Sequence, residues 1–159
     1  MTHWQSPARA GLIDMPGPGG HPGGHPGGGQ REPLPLPGTP WSLRTTDGQG
    51  ARPALEVYAA GVLLDVVVAT PLSAGILRGA CVAEAGGRPC SLAWGRLPER
   101  GQRLAVEFSR LALRPRPQPA QVIEVDWWFW VAMAGGRFAT VTAAHPGGQE
   151  RRRLRALRA

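Results

Sequence analysis

From residue 53 onward, apolar and polar side chains alternate at period two in short runs cut by glycine and proline. Alternation of this kind sends successive side chains to opposite faces of an extended chain, so it specifies half-buried strands and argues against amphipathic helix. In "ALEVYAAGVLLDVVVAT", Leu55, Val57 and Ala59 face one way and Glu56 and Tyr58 the other. After an Ala60-Gly61 turn, Val62, Leu64, Val66 and Val68 alternate with Leu63, Asp65, Val67 and Ala69, and the β-branched content supports a hairpin. "QRLAVEFS" repeats the pattern, with Leu104, Val106 and Phe108 opposite Arg103, Ala105 and Glu107. "LRPRPQP" (113–119) then breaks structure, because its prolines lack backbone donors. A final hairpin begins near Gln121.

One segment reads two ways. "TPLSAGILRGACVAEAGG" has Thr70 as a helix N-cap, Pro71 at the first helical position and Gly86-Gly87 as a stop. The same residues also fit a second hairpin turning at Gly86-Gly87. With no alternation of strands and helices elsewhere, the expected class is mainly β, a small antiparallel sandwich or barrel.

The flanks differ from this body. Residues 1–52 hold twelve glycines and nine prolines, centred on "PGPGGHPGGHPGGG". A segment so poor in apolar side chains cannot offset the roughly 1–2 kcal/mol per residue needed to order its backbone. It is expected to be disordered, with Trp4 or Trp41 as local anchors and "REPLPLPGTPW" favouring polyproline II. At 159 residues the chain has room for one domain, read as residues 53–149, followed by a basic C-terminal tail, 150–159.

The net charge of +7 and pI near 11.3 point towards an anionic partner. All eighteen basic residues are arginine, however, and lysine and asparagine are absent, as in a very GC-rich genome. More than half the excess, a net +4, lies in the last ten residues, "ERRRLRALRA". Arg151, Arg152, Arg153 and Arg155 are therefore candidate contacts to nucleic acid or an acidic partner, on a frayed terminus or on a short helix with Leu154 and Leu157 on one side.

The longest apolar run, Val62 to Ala69, is eight residues and contains Asp65, far short of the roughly 20 needed to span a bilayer. The N-terminus lacks a basic stretch followed by an apolar one, and two cysteines make no disulfide framework. A soluble, cytoplasmic protein with reduced thiols and no membrane partner is expected.

"DWWFWVAMAGGRFATV" (126–141) concentrates four of the chain's ten aromatic residues in succession. Taken as a strand over 124–133, it places Val125, Trp127, Phe129, Val131 and Met133 on a core face, and Glu124, Asp126, Trp128 and Trp130 on the other. A turn at Gly135-Gly136 would pair Trp130 with Val141, Trp128 with Ala143 and Asp126 with His145. Trp128 and Trp130 then form an indole shelf, with Arg137 nearby for polar orientation. A central strand buried on both faces is the competing arrangement. The shelf points to a non-enzymatic module binding another protein; the alternative is a nucleic-acid binder using the C-terminal arginines and stacking aromatics. Open sheet edges add a route to a homo-oligomer.

Other constellations are thin. His21 and His25 in "GHPGGHP" lack cysteine or carboxylate partners for a closed metal site, and Cys81 and Cys90 are nine apart rather than in a Cys-x-x-Cys pair. An Asp126–His145 pair lacks an accompanying nucleophile signature, and the glycine tract lacks the strand and helix that frame a phosphate loop. No cofactor, metal or catalytic residue is assigned.

Three features together resemble a group of small uncharacterised actinobacterial β-rich proteins. They are "VYAAGVLLDVVV" (57–68), similar to that group's Tyr-x-x-Gly hairpin, "LALRPR" (111–116), similar to its Leu-Arg-Pro-Arg segment, and "WWFW" followed by a glycine turn, similar to its aromatic strand. The resemblance implies a β-rich, intracellular protein and carries no activity. Pro117-Gln118-Pro119, "VAMAGG" and His145-Pro146 depart from the group's pattern.

Overall fold

A computed structural model describes residues 32–48, 52–70, 75–99, 102–111 and 116–157, and every regular element among them is a β-strand. No helix of these residues is long and apolar enough to cross a membrane. The expected disorder of the N-terminal segment falls, for residues 1–31, outside the described residues. Part of that segment is structured: β1 (Leu34–Pro35) and β2 (Trp41–Gly48) pair with each other. β2 pairs in turn with β3 (Arg52–Ala59), and β3 with β4 (Val62–Val68), giving an antiparallel sheet in the order β1-β2-β3-β4. The β3–β4 turn is the expected one, with Ala60 and Gly61 at φ 47° and 79°. Positive φ at both central residues marks a turn whose twist matches the flanking strands. Trp41 enters the core as an anchor, 1% exposed.

The second sheet holds β5 (Leu77–Ala85), β6 (Arg88–Arg96), β7 (Ala105–Ser109), β8 (Gln118–Val125), β9 (Phe129–Gly135), β10 (Thr140–His145), β11 (Gly148–Arg153) and β12 (Arg155–Ala156). Their order is β11-β10-β7-β8-β9-β6-β5-β12. The ambiguous segment resolves as a hairpin, β5–β6, turning at Gly86 and Gly87 with φ 55° and 73°. Residues 71–74, where the helix would have begun, lie outside the described residues.

This sheet curls into a nearly closed barrel. β11 leads through Leu154 into β12, and β12 pairs in parallel with β5 at the opposite end of the sheet. Across the seam, the Glu150 carboxylate accepts the backbone N–H groups of Ile76 at 2.7 Å and Leu77 at 3.0 Å. A side chain here supplies the acceptors that a neighbouring strand would otherwise provide, which keeps buried donors satisfied where two sheet edges meet.

Of the residues expected to form a basic tail, 150–153 and 155–156 are therefore in strands. The helix that would have put Leu154 and Leu157 on one side does not form. Leu154 packs against the barrel interior, while Leu157 packs against a second core. Pairing with β10 and β5 satisfies one edge of the backbone of β11 and β12 and anchors both leucines, which an isolated helix of this length in water could not do.

Two cores share three strands. Trp130, Ala132 and Ala134 from β9 meet Ala93, Phe108 and Val141 inside the barrel. Phe129 and Val131, from the other face of β9, join Leu92, Trp94, Leu55 and Val57 between the barrel wall and the four-stranded sheet. β5, β6 and β9 are thus covered on both sides, which is why β9 reads as a near-continuous apolar run.

This placement corrects the expected hairpin. The turn falls at Asp126–Trp128 rather than Gly135-Gly136: Asp126 and Trp127 have φ of 50° and 60°, and Trp128 N–H donates to the Val125 carbonyl at 3.3 Å. β9 pairs with β8 and β6, placing Trp130 opposite Glu124 and Gly95, while Val141 lies opposite Phe108 and Arg152. Trp127, expected in the core, is 79% exposed, and Trp130, expected on an open face, is 0% exposed. A doubly buried strand must be flanked by sheet on both edges, and that requirement overrides the glycine turn signal. The competing arrangement, a central strand covered on both faces, is the one observed.

Candidate functional site

The margin where β4, β5 and the C-terminal strands meet holds a cleft of about 370 Å³. β4 contributes Asp65, β5 contributes Arg78 and Gly79, and the C-terminal segment contributes Arg152, Arg153 and Arg155. Four arginines thus line a cleft that contains one carboxylate, and Arg78 is the one paired with it. The seam makes this possible, because only the crossing from β11 to β12 carries the late arginines alongside β5.

The carboxylate is already committed. Asp65 Oδ2 accepts Trp94 Nε1–H at 3.0 Å and Arg78 Nε–H at 3.3 Å, and Oδ1 accepts the Val66 backbone N–H at 2.9 Å. Trp94 reaches Asp65 by lying across β5, and a Cβ at Gly79 would stand only 2.2 Å from its ring, so the position requires glycine. Among the described residues no carboxylate pairs with Arg152, Arg153 or Arg155. The cleft is left with an uncompensated positive field, suited to a phosphate or carboxylate group held by paired N–H donors.

Cys81 also lines the cleft, 2% exposed, and burial pushes its thiol up to about 12 against the opposing charge of Arg155. A thiol held protonated is a poor nucleophile. The shift has a stability consequence. Below the ordinary thiol value of 9.0 both folded and unfolded chains keep the proton. Between pH 9 and about 12 only the unfolded chain releases it, so stability falls as pH rises through that window. The expected result is that Cys81→Ala flattens the alkaline limb of urea stability measured from pH 8 to 11; an unchanged slope would show that the thiol is not responsible. Cys90 is likewise a free thiol, and β5–β6 pairing sets Cys81 opposite Leu92 and Cys90 opposite Ala83.

The expected site residues separate. Arg152, Arg153 and Arg155 come together with Arg78, whereas Arg151 Nη2 donates to Thr140 Oγ1 at 3.3 Å and does not line the cleft. Arg137 pairs with Glu84 at 2.9 Å. Trp128, on the β8–β9 turn, is 48% exposed, and its carbonyl accepts Leu97 N–H at 2.9 Å. Trp130 is inside the barrel, its Nε1–H donating to the Ile76 carbonyl at 3.0 Å, so the shelf of two indoles is not formed. The Asp126–His145 pair is not formed either: Asp126 sits on the β8–β9 turn, while His145 pairs with Gly148 and accepts Gly147 N–H at Nδ1. Among the described residues no group of three metal-ligating side chains occurs. His21 and His25 lie outside them.

Arg78, Asp65 and Trp94 are the cleft residues that sequence reasoning missed. Asp65 alone left a trace, as the single carboxylate inside the longest apolar run.

Fold and site together define an all-β protein with a nearly closed barrel, a second covering sheet and an arginine-lined cleft at their margin. No family model matches the chain, and no curated protein or solved structure is significantly similar to it.

Proposed function

We propose that this is a non-catalytic binding module whose ligand presents a compact anionic group to Arg78, Arg152, Arg153 and Arg155. The observation that supports the reading is the convergence of these four arginines on a concave cleft whose only carboxylate is occupied by Trp94 and Arg78. Arginine forks recognise phosphate and carboxylate through parallel N–H donors, and a recess concentrates their field. Arg152, Arg153 and Arg155 of the nucleic-acid reading are retained, but in a recess rather than along an extended track for a polynucleotide backbone. The aromatic-shelf reading loses one of its two indoles to the core. The cytoplasm, with both thiols reduced, remains the proposed compartment.

Thermal unfolding in phosphate and in chloride at matched ionic strength tests this. At ten times its Kd, phosphate adds about 1.4 kcal/mol, which for a domain of this size raises Tm by several degrees. Arg152→Gln/Arg155→Gln is expected to lose the rise and Trp128→Ser to keep it. Identical Tm values for wild type in both salts would refute the reading. Tighter, steeply salt-dependent binding of a 20-mer oligonucleotide would replace it with the nucleic-acid alternative.

A further inference from the structure

The arginine cleft adjoins an apolar cavity of about 740 Å³, with Leu64 common to both linings. Three elements run from one compartment into the other. On β4 the lining passes from Asp65 through Leu64, which borders both, to Val62. On β5 it passes from Arg78–Cys81 to Val82 and Ala83, and on the C-terminal segment from Arg155 to Ala156 and Leu157. The two compartments therefore follow the margin between β4 and β12, each the last strand of its sheet.

The apolar half is an unfilled end of the second core. Val62 pairs with Ala59, which shares its face of β3 with the fully buried Leu55 and Val57, yet Val62 is 65% exposed. Among the described residues, an inward-facing valine left this open has no side chain covering it. The volume lies within the roughly 300–1,000 Å³ typical of small-molecule sites. Charge is polarised between the compartments: the arginines gather in one, whereas in the apolar one Arg137 is matched by Glu84 at 2.9 Å.

We infer that the two compartments together bind a single-headed anionic amphiphile, its phosphate or carboxylate head among Arg78, Arg152 and Arg155 and its unbranched apolar chain over Val62, Leu64 and Leu157. This rests on the anion-binding reading and adds the ligand's class. Electrostatic complementarity selects the head, and burial of methylene groups supplies the chain's affinity, up to about fourfold per methylene.

Isothermal titration of the full chain with inorganic phosphate and with butyl, hexyl and octyl phosphate, all below micelle-forming concentrations, tests the inference. Affinity is expected to rise with chain length, octyl phosphate binding more than tenfold tighter than butyl phosphate. Val62→Asp, at a 65% exposed position and with its fold checked by circular dichroism, is expected to abolish that gain while keeping the response to phosphate. Arg152→Gln/Arg155→Gln is expected to weaken every alkyl phosphate at least tenfold. If phosphate binds but octyl phosphate binds no tighter, the amphiphile is overturned and the anion site stands. A chain-length gain that survives Val62→Asp places the chain elsewhere and overturns it as well. Equal affinity of both arginine variant and wild type for octyl phosphate overturns the anion site itself.

Discussion

Replacing Trp130 by alanine is expected to lower the stability of the protein by about 3–5 kcal/mol, a large part of the roughly 5–15 kcal/mol that holds a domain folded. The indole is 0% exposed inside the barrel, among side chains from β5, β6, β7 and β10. Its Nε1–H donates to the Ile76 carbonyl, which also accepts Arg96 N–H at 3.0 Å. The carbonyl therefore keeps one partner after the substitution, and the cost comes chiefly from the cavity. The surroundings cannot close around it easily, because a Cβ at Gly95 would already stand 1.8 Å from the Ile76 oxygen. The companion measurement is Trp127→Ala. With 79% of its surface exposed on the turn, it is expected to change stability by no more than about 0.5 kcal/mol. Urea midpoints of the two variants decide the matter: equal losses would show that the turn at Asp126–Trp128 is misplaced.

Glu150→Ala carries the second large effect. It removes both carboxylate oxygens from the Ile76 and Leu77 N–H groups at the barrel seam. A buried donor left without an acceptor costs about 1–3 kcal/mol, so the pair is expected to cost about 2–4 kcal/mol. Glu150→Gln, which keeps one carbonyl oxygen, should fall between alanine and wild type. Amide hydrogen exchange adds a local readout, with Ile76 and Leu77 losing protection beyond the global change. If Glu150→Ala were as mild as Gln149→Ala, on an exposed neighbouring position, the carboxylate would not be closing the seam. Loss of that seam also separates Arg152 and Arg155 from Arg78, so the phosphate response should weaken in parallel.

The hairpins were legible where local chemistry sufficed. Alternation over Leu55 to Ala59 and the Ala60-Gly61 turn produced the β3–β4 hairpin, although a register shift between Val57 and Tyr58 breaks the simple alternation read for β4, and Val106 and Phe108 point inward from β7 as expected. Gly86-Gly87 carried the correct turn for β5–β6 as well, although Thr70 and Pro71 competed with it at the sequence level. In each case the deciding information lies within a few residues: period-two burial and backbone able to take positive φ.

The aromatic strand and the arginine cleft depended on contacts far along the chain. Phe129, Trp130, Val131 and Ala132 are all buried, so alternation carries no phase, and only the barrel on one side and the covering sheet on the other decide which core each joins. "ERRRLRALRA" contains no strand signal of its own; pairing with β10 and β5 makes residues 150–153 and 155–156 extended. The arginine cleft is the extreme case, since Arg78 and Arg152 lie on opposite sides of most of the folded sequence. By itself, the sequence determined the β class and its local hairpins, because strand periodicity and turn conformation are properties of neighbouring residues. Only the tertiary structure decided that Trp130 is interior, that the C-terminus closes a barrel and that its arginines meet Arg78, because those outcomes minimise unpaired backbone and exposed apolar surface across the whole chain.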